Sequence, residues 1–136
     1  MIIQKEISLP YFERGCHLIT DIVKENIGEL PYNGILNIFI KHTSAAISIN
    51  ENEDPTVRAD METVISKLIP DGHNLYTHNE EGDDDMPAHI KSAFIGQSIN
   101  IPITNYKLNM GIWQGIYLCE FRNNGGNRRL VLTILK

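Results

Sequence analysis

Residues 76–92, YTHNEEGDDDMPAHIKS, place five acids in six positions between His78 and His89. Carboxylates this close repel one another unless water, a cation or a basic partner relieves them. Two chemistries fit the pattern. A solvated loop leading into a helix would use Asp84 and Asp85 for capping and for a favourable dipole placement ahead of Pro87. A divalent-ion site would use the imidazoles with the carboxylates, a donor set that suits Zn or Mn, whereas carboxylates alone suit Mg. Capping needs one aspartate and the chain supplies three in a row, Asp83, Asp84 and Asp85. The eleven-residue separation of the histidines matches no named zinc spacing.

Strand periodicity brings further polar groups forward. In ILNIFIKH, residues Leu36, Ile38, Ile40 and His42 share one side, so His42 ends a strand whose apolar face points inward. It is either a hydrogen-bonded core residue or a third ligand beside His78 and His89. His17 in RGCHL and His73 in PDGHN fit local hydrogen-bonding roles. In the segment 111–122, Ile112, Gln114, Ile116, Leu118, Glu120 and Arg122 share one face, and Trp113, Tyr117, Cys119 and Phe121 share the other. Both faces are largely apolar, so both should be covered, and the second cover expected is another copy of the chain. Glu120 and Arg122 on a covered face need partners, because an unpaired buried charge is costly. They form either a salt bridge, internal between Glu120 and Arg122 or between subunits, or part of a ligand pocket.

The elements that position these groups follow from patterning. A first strand is expected over 2–9 and a helix over 20–29, capped by Thr20 or Asp21. Strands at 35–42 and 45–51 follow, joined near Thr43 and Ser44. Asp54 caps the clearest helix, with Pro55 in its first turn and Val57, Met61, Val64, Ile65 and Leu68 at helical spacing. A shorter helix runs from about Pro87 to before Gly96. Strands at 98–103, 111–122 and 127–136 complete the chain, the last two joined through NNGGN. Hairpin-length connections argue for antiparallel pairing, so the expected class is α+β: an antiparallel β-sandwich flanked by helices, in one domain over 1–136.

Composition narrows the function classes. The chain has 17 acids and 12 bases, and the net charge of −5 equals the contribution of Glu80, Glu81, Asp83, Asp84 and Asp85. A basic surface of the kind that grips nucleic acid is absent. No apolar run approaches the roughly 20 residues of a membrane helix, and MIIQKEISLP has no signal-peptide layout. Cys16 and Cys119 form no ligand motif and suit a reduced, buried state, so a cytoplasmic protein without membrane partners is expected.

Five ordered stretches, RGCHLIT, HTSAAISINENEDPTVRADME, HNEEGDDDMPAHIKSAFIGQSINIPI, WQGIYLCEFR and GGNRR, together resemble the YjbQ-like family, also called the secondary thiamine-phosphate synthase family. The resemblance runs nearly end to end. It implies a trimeric α+β sandwich with polar motif residues in pockets near subunit boundaries. It also implies a weak thiamine-phosphate synthase activity, joining a pyrimidine methyl diphosphate to a thiazole phosphate with release of pyrophosphate. Carried over residue by residue, it points to His42, Asn50, Glu51, His78, Asp84, Asp85, His89, Gln114, Glu120 and Arg122. Ile112 stands where the family usually has Thr, and Asp83 where it often has a non-acid.

The combined expectation has three parts. His42, His78 and His89 hold a divalent ion (Zn, Mn or Mg). Glu51, Asp84 and Glu120 are catalytic. Asn50, Asp85, Gln114, Arg122, Arg128 and Arg129 bind a small phosphorylated substrate in a homotrimer. A metal ion and basic side chains would neutralise the charge that develops on the departing pyrophosphate. Two alternatives stand beside this: a metal-dependent hydrolase with Glu51 or Glu120 as base, and a non-enzymatic trimer that binds a ligand or regulates a partner.

Overall fold

The computed structural model describes residues 1–136. The element order is β1 (Ile2–Ser8), β2 (Gly15–Leu18), α1 (Thr20–Ile27), β3 (Asn33–Ile40), β4 (Ala45–Glu51), α2 (Pro55–Leu68), α3 (Asp85–Ile95), β5 (Ser98–Thr104), β6 (Lys107–Leu108), β7 (Gln114–Glu120) and β8 (Arg129–Leu135). All pairings are antiparallel. A five-stranded sheet runs β1-β8-β3-β5-β6 and a three-stranded sheet runs β2-β7-β4. The expected α+β sandwich is therefore present, with β2 and β6 as additional short strands. None of the helices is long and apolar enough to cross a membrane.

The main core lies between the two sheets. Leu36, Ile38 and Ile40 of β3 and Leu130, Leu132 and Ile134 of β8 meet Ile47 of β4 and Ile116 and Leu118 of β7. These are the inward positions of period-two strands, each worth about 1.5–3 kcal/mol when fully buried. Val23 of α1 closes one side of the same cluster. Thr20 does not cap α1. Its hydroxyl accepts from the Ile116 N–H at 2.9 Å and so ties the helix start to β7.

The opposite face of β7 is covered by the chain's own helices. Tyr117, Cys119 and Phe121 pack with Cys16, Ala46 and Ala88, flanked by Met61 of α2 and Ile95 of α3. From Gly115 to Phe121 every residue is buried within one chain. The two apolar faces of this strand therefore need no second copy to cover them, and that argument for a trimer is removed.

Helix α2 starts as its sequence dictates: Asp54 accepts from the Thr56 N–H at 2.9 Å and from the Thr56 hydroxyl at 2.7 Å. Its apolar stripe is only partly used. Val57, Met61 and Ile65 are half-buried beside Arg58 and Glu62, while Val64 and Leu68 face outward. Helix α3 begins two residues before Pro87, and Ser92 fastens it to β4 through a 2.9 Å bond to the Ala45 carbonyl.

Candidate metal centre

The earlier start of α3 decides the site. Asp85 and His89 stand one helical turn apart, so their side chains emerge on the same face. Asp85 is 2% exposed, and its Oδ2 lies 2.8 Å from His78 Nε2 and 3.1 Å from His89 Nε2. Glu81 completes the group, with Oε2 3.5 Å from His78 Nε2. One ligand atom from each of His78, Glu81, Asp85 and His89 falls within 4.8 Å of all the others. Two imidazoles and two carboxylates converging at that separation form a donor set fit for a divalent ion.

Both outer contacts of this group are fixed. His89 Nδ1 is 2.9 Å from the Thr43 carbonyl, an acceptor, so Nδ1 carries the proton and Nε2 is turned toward Asp85. Arg122 Nη1 donates to Asp85 Oδ1 at 2.6 Å, leaving Oδ2 for the imidazoles. Burial on its own would raise the Asp85 carboxyl, but hydrogen bonding to His78 and the charges of His89 and Arg122 hold it below the usual range. The 69–84 loop that presents His78 is closed at its neck by the Gly72 N–H donating to the Asp83 carbonyl at 3.0 Å. Its base is gripped by Arg14, which donates to both Asp71 oxygens at 2.6 and 3.0 Å.

Asp84 occupies the helix-cap position without making a capping bond. Its Oδ2 instead accepts from Arg122 Nε at 3.1 Å and from the Asn123 N–H at 2.9 Å. Burial opposes ionisation here too, yet those bonds keep the Asp84 carboxyl low. Asp84 thus locks the end of β7 to the start of α3.

His42 is outside the cluster. Its Nε2 accepts from the Arg129 N–H at 2.9 Å, and burial together with the charge of Arg128 pushes its pKa down. The histidines that converge within this chain are His78 and His89, with Asp85 and Glu81, and His42 is not among them. His17 and His73 make the local bonds expected of them, to the Glu13 carbonyl and from the Leu75 N–H.

Glu120 and Arg128 are not poised for substrate. Arg128 Nε and Nη2 donate to the two oxygens of Glu120 at 2.7 and 2.6 Å, and Nη2 also reaches the Ser44 hydroxyl at 2.9 Å. Glu120 is fully buried and Arg128 nearly so. The NNGGN turn folds directly over this pair: a Cβ on Gly125 would overlap Glu120 Oε1. Arg129 is directed to Glu6 on the five-stranded sheet. Of the three arginines, only Arg122 adjoins the metal-type cluster.

Asn50, Glu51 and Gln114 gather at the opposite end of the three-stranded sheet. Glu51 Oε2 accepts from the N–H groups of Glu53 and Asp54 at 3.0 and 2.6 Å, shaping the turn into α2. Asn50 Oδ1 accepts from the Glu51 N–H at 2.8 Å, and Gln114 Oε1 from the Gly111 N–H at 2.7 Å. Asn52 donates to the Ile112 and Gln114 carbonyls, both at 3.1 Å. Ile112 itself is 81% exposed, so the missing hydroxyl at that position leaves no gap in the interior. Gln114 and Trp113 line a groove of about 600 Å³ with Asn52, Asp21 and Met110. The length of β7, about 20 Å at ~3.3 Å per residue, separates this groove from Glu120.

Relatives match almost the full length of the chain. The family model described as "UPF0047 protein YjbQ-like" matches residues 5–136. The UPF0047 protein YjbQ of Salmonella typhimurium is 46% identical over 133 residues, covering 96% of each chain. The UPF0047 protein YugU of Bacillus subtilis is 40% identical over 105 residues, 74% of this chain and 77% of that one. Among solved structures, a YbjQ-like protein of unknown function from Sulfolobus solfataricus superposes with a TM-score of 0.85 at 29% identity, over 98% of this chain and 96% of that one. An uncharacterised YjbQ/UPF0047 protein from Clostridium acetobutylicum gives 0.82 at 37% identity, over 96% and 99%. With the fold, the sequence relatives and the family model in agreement over almost its full length, the chain belongs to the YjbQ-like UPF0047 family.

Proposed function

We propose that the protein is a metal-assisted transferase of the thiamine-phosphate synthase kind. The bond between the pyrimidine methylene carbon and its diphosphate oxygen breaks, a bond from that carbon to the thiazole nitrogen forms, and pyrophosphate leaves. The observation that carries this reading is the convergence of His78 Nε2 and His89 Nε2 on Asp85 Oδ2, with Arg122 holding the other oxygen. A divalent ion bound there would neutralise charge on the departing pyrophosphate. Without a cation the acid-rich loop would repel a diphosphate.

The chain's own residues do the rest. Thr43 and Arg122 orient His89 and Asp85 so that their free atoms face a common point. The guanidinium of Arg122, partly exposed beside the cluster, adds positive charge where phosphate oxygens would lie. At the far end of β7, the Trp113 and Gln114 groove has the size and the exposed aromatic face to take a heterocyclic ring. One active site using both ends has to be built between subunits, and a homotrimer is the assembly we assign to it. The two unbridged cysteines fit a cytoplasmic setting.

Supplying the pyrimidine methyl diphosphate, the thiazole phosphate and Zn, Mn or Mg in turn tests this directly. Metal-dependent appearance of the coupled thiazolium product with stoichiometric pyrophosphate is expected. Phosphate release without coupling would instead make the protein a hydrolase, and ligand binding without turnover a binding protein.

A further inference from the structure

Cys16 and Cys119 stand directly opposite each other on β2 and β7, with their sulfurs 3.9 Å apart. The ladder fixes what kind of pair this is. The Ile19 N–H donates to the Ile116 carbonyl at 2.8 Å, and hydrogen-bonded pairs alternate along antiparallel strands. His17 with Leu118 is then the next hydrogen-bonded pair, and Cys16 with Cys119 falls at a non-hydrogen-bonded position, where opposing side chains come closest. A sulfur–sulfur bond is ~2.05 Å long, so closure requires the two sulfurs to approach by roughly 2 Å. β2 is an edge strand of only four residues, so local opening there gives a small oxidant access to Cys16.

We propose that Cys16 and Cys119 form a redox-sensitive pair that closes into an intramolecular disulfide on exposure to a peroxide, stapling β2 to the strand that carries Glu120 and leads into Arg122. The Cys16 thiolate attacks the peroxide, the O–O bond breaks, and a sulfenic acid and water result. Cys119 then attacks the sulfenic sulfur and a second water leaves. In total the two thiols lose two protons and two electrons, and hydrogen peroxide is reduced to two waters. A dithiol reductant reverses the bond. The order of attack has a physical basis: the hydrogen bond between the thiols lowers the Cys16 thiol and raises that of Cys119. Because the pair is separated by 103 positions, the bond closes a long loop in the unfolded chain and should stabilise the fold. This inference is independent of the reaction proposed above.

The test is to treat the purified protein with a small excess of hydrogen peroxide. Intact mass should fall by two hydrogens, and a non-reducing digest should yield a peptide linking Cys16 to Cys119. The melting temperature should rise by roughly 5–10 °C and return on adding dithiothreitol. Cys119→Ala and Cys16→Ala should each abolish the rise. Oxygen addition without loss of hydrogens, disulfide-linked dimers in place of the internal bond, an unaltered mass, or an internal bond that lowers the melting temperature would each overturn the proposal.

Discussion

His89 turns its Nε2 toward Asp85 Oδ2 at 3.1 Å while its Nδ1 bonds to the Thr43 carbonyl at 2.9 Å. In the neutral imidazole this sets one acceptor lone pair against another across that gap. Only a proton on Nε2 or a cation between the two removes the repulsion. A divalent ion bound there would satisfy His78, Asp85 and His89 together, so the arrangement is a candidate metal site as well as an ion-pair network.

Replacing His78, His89 or Asp85 should therefore weaken divalent-ion binding at least tenfold, about 1.4 kcal/mol. His42→Ala, His17→Ala and His73→Ala should leave affinity within a few-fold, since all three lie outside the cluster. Calorimetric titration with Zn or Mn decides between the two groups. Binding should also fall on acidification, because ligand imidazoles must shed their protons. A His42→Ala protein that lost the metal would move the site toward β3.

Arg122 and Asp84 make a second, separable prediction. Their ion pair holds a carboxyl whose folded pKa is depressed, so its stabilising contribution is present above the unfolded value near ~3.9 and is lost as pH falls through the folded value. Arg122→Met removes the positive charge from both Asp84 and Asp85, and the acid-induced fall in melting temperature should then begin at higher pH than in the wild type. Melting curves between about pH 2 and 6 measure it. Coincident profiles would mean that the arginine contributes nothing to their ionisation.

His42 titrates in a different window. Burial first, and then the nearby Arg128 charge, depresses its folded pKa, so the native state disfavours the imidazolium. Stability is then complete above the unfolded value near ~6.5 and declines as pH falls from there toward the folded value. In His42→Gln, whose side-chain oxygen can still accept from the Arg129 N–H, that portion of the stability profile should flatten. Urea unfolding at several pH values gives the answer.

Glu120 and Arg128 test a structural role against the catalytic one expected of Glu120. Glu120→Ala strands a buried guanidinium and should cost about 3–5 kcal/mol. Gly125→Ala should be similarly damaging, because its methyl would overlap the Glu120 carboxylate. Both are read from urea midpoints. If Glu120→Ala folds with near-native stability and yet loses turnover, the carboxylate belongs to the chemistry after all.

Assembly has its own test. Light scattering at micromolar concentration should return the mass of three chains, and a monomer would end the shared-site model. If each site joins the His89 end of one subunit to the Gln114 end of another, inactive His89→Ala and Gln114→Ala proteins should regain activity when refolded together. Failure of the mixed protein to exceed either parent would place all the chemistry at one end.

The strand faces, the Asp54 cap and the acid-rich segment between two histidines are legible in the order of the residues, because they depend on local periodicity and short-range bonds. Leu36, Ile38 and Ile40 are buried as alternation requires, and Ile116 and Leu118 oppose Tyr117 and Cys119 as expected. The same order also indicated that Glu120 needs a buried partner, but nominated Arg122 for a place that Arg128 takes. The cluster was half legible. Asp85 and His89 at i and i+4 were a readable signal, hidden only by starting the helix at Pro87. Glu81 joins them through a loop whose path no periodicity encodes. Long-range packing set the rest: His42 spends its Nε2 on the Arg129 backbone, and α2 and α3 cover the second face of β7. Each of these depends on which distant segment packs against a residue, an outcome of competition among long-range contacts that a local pattern does not contain.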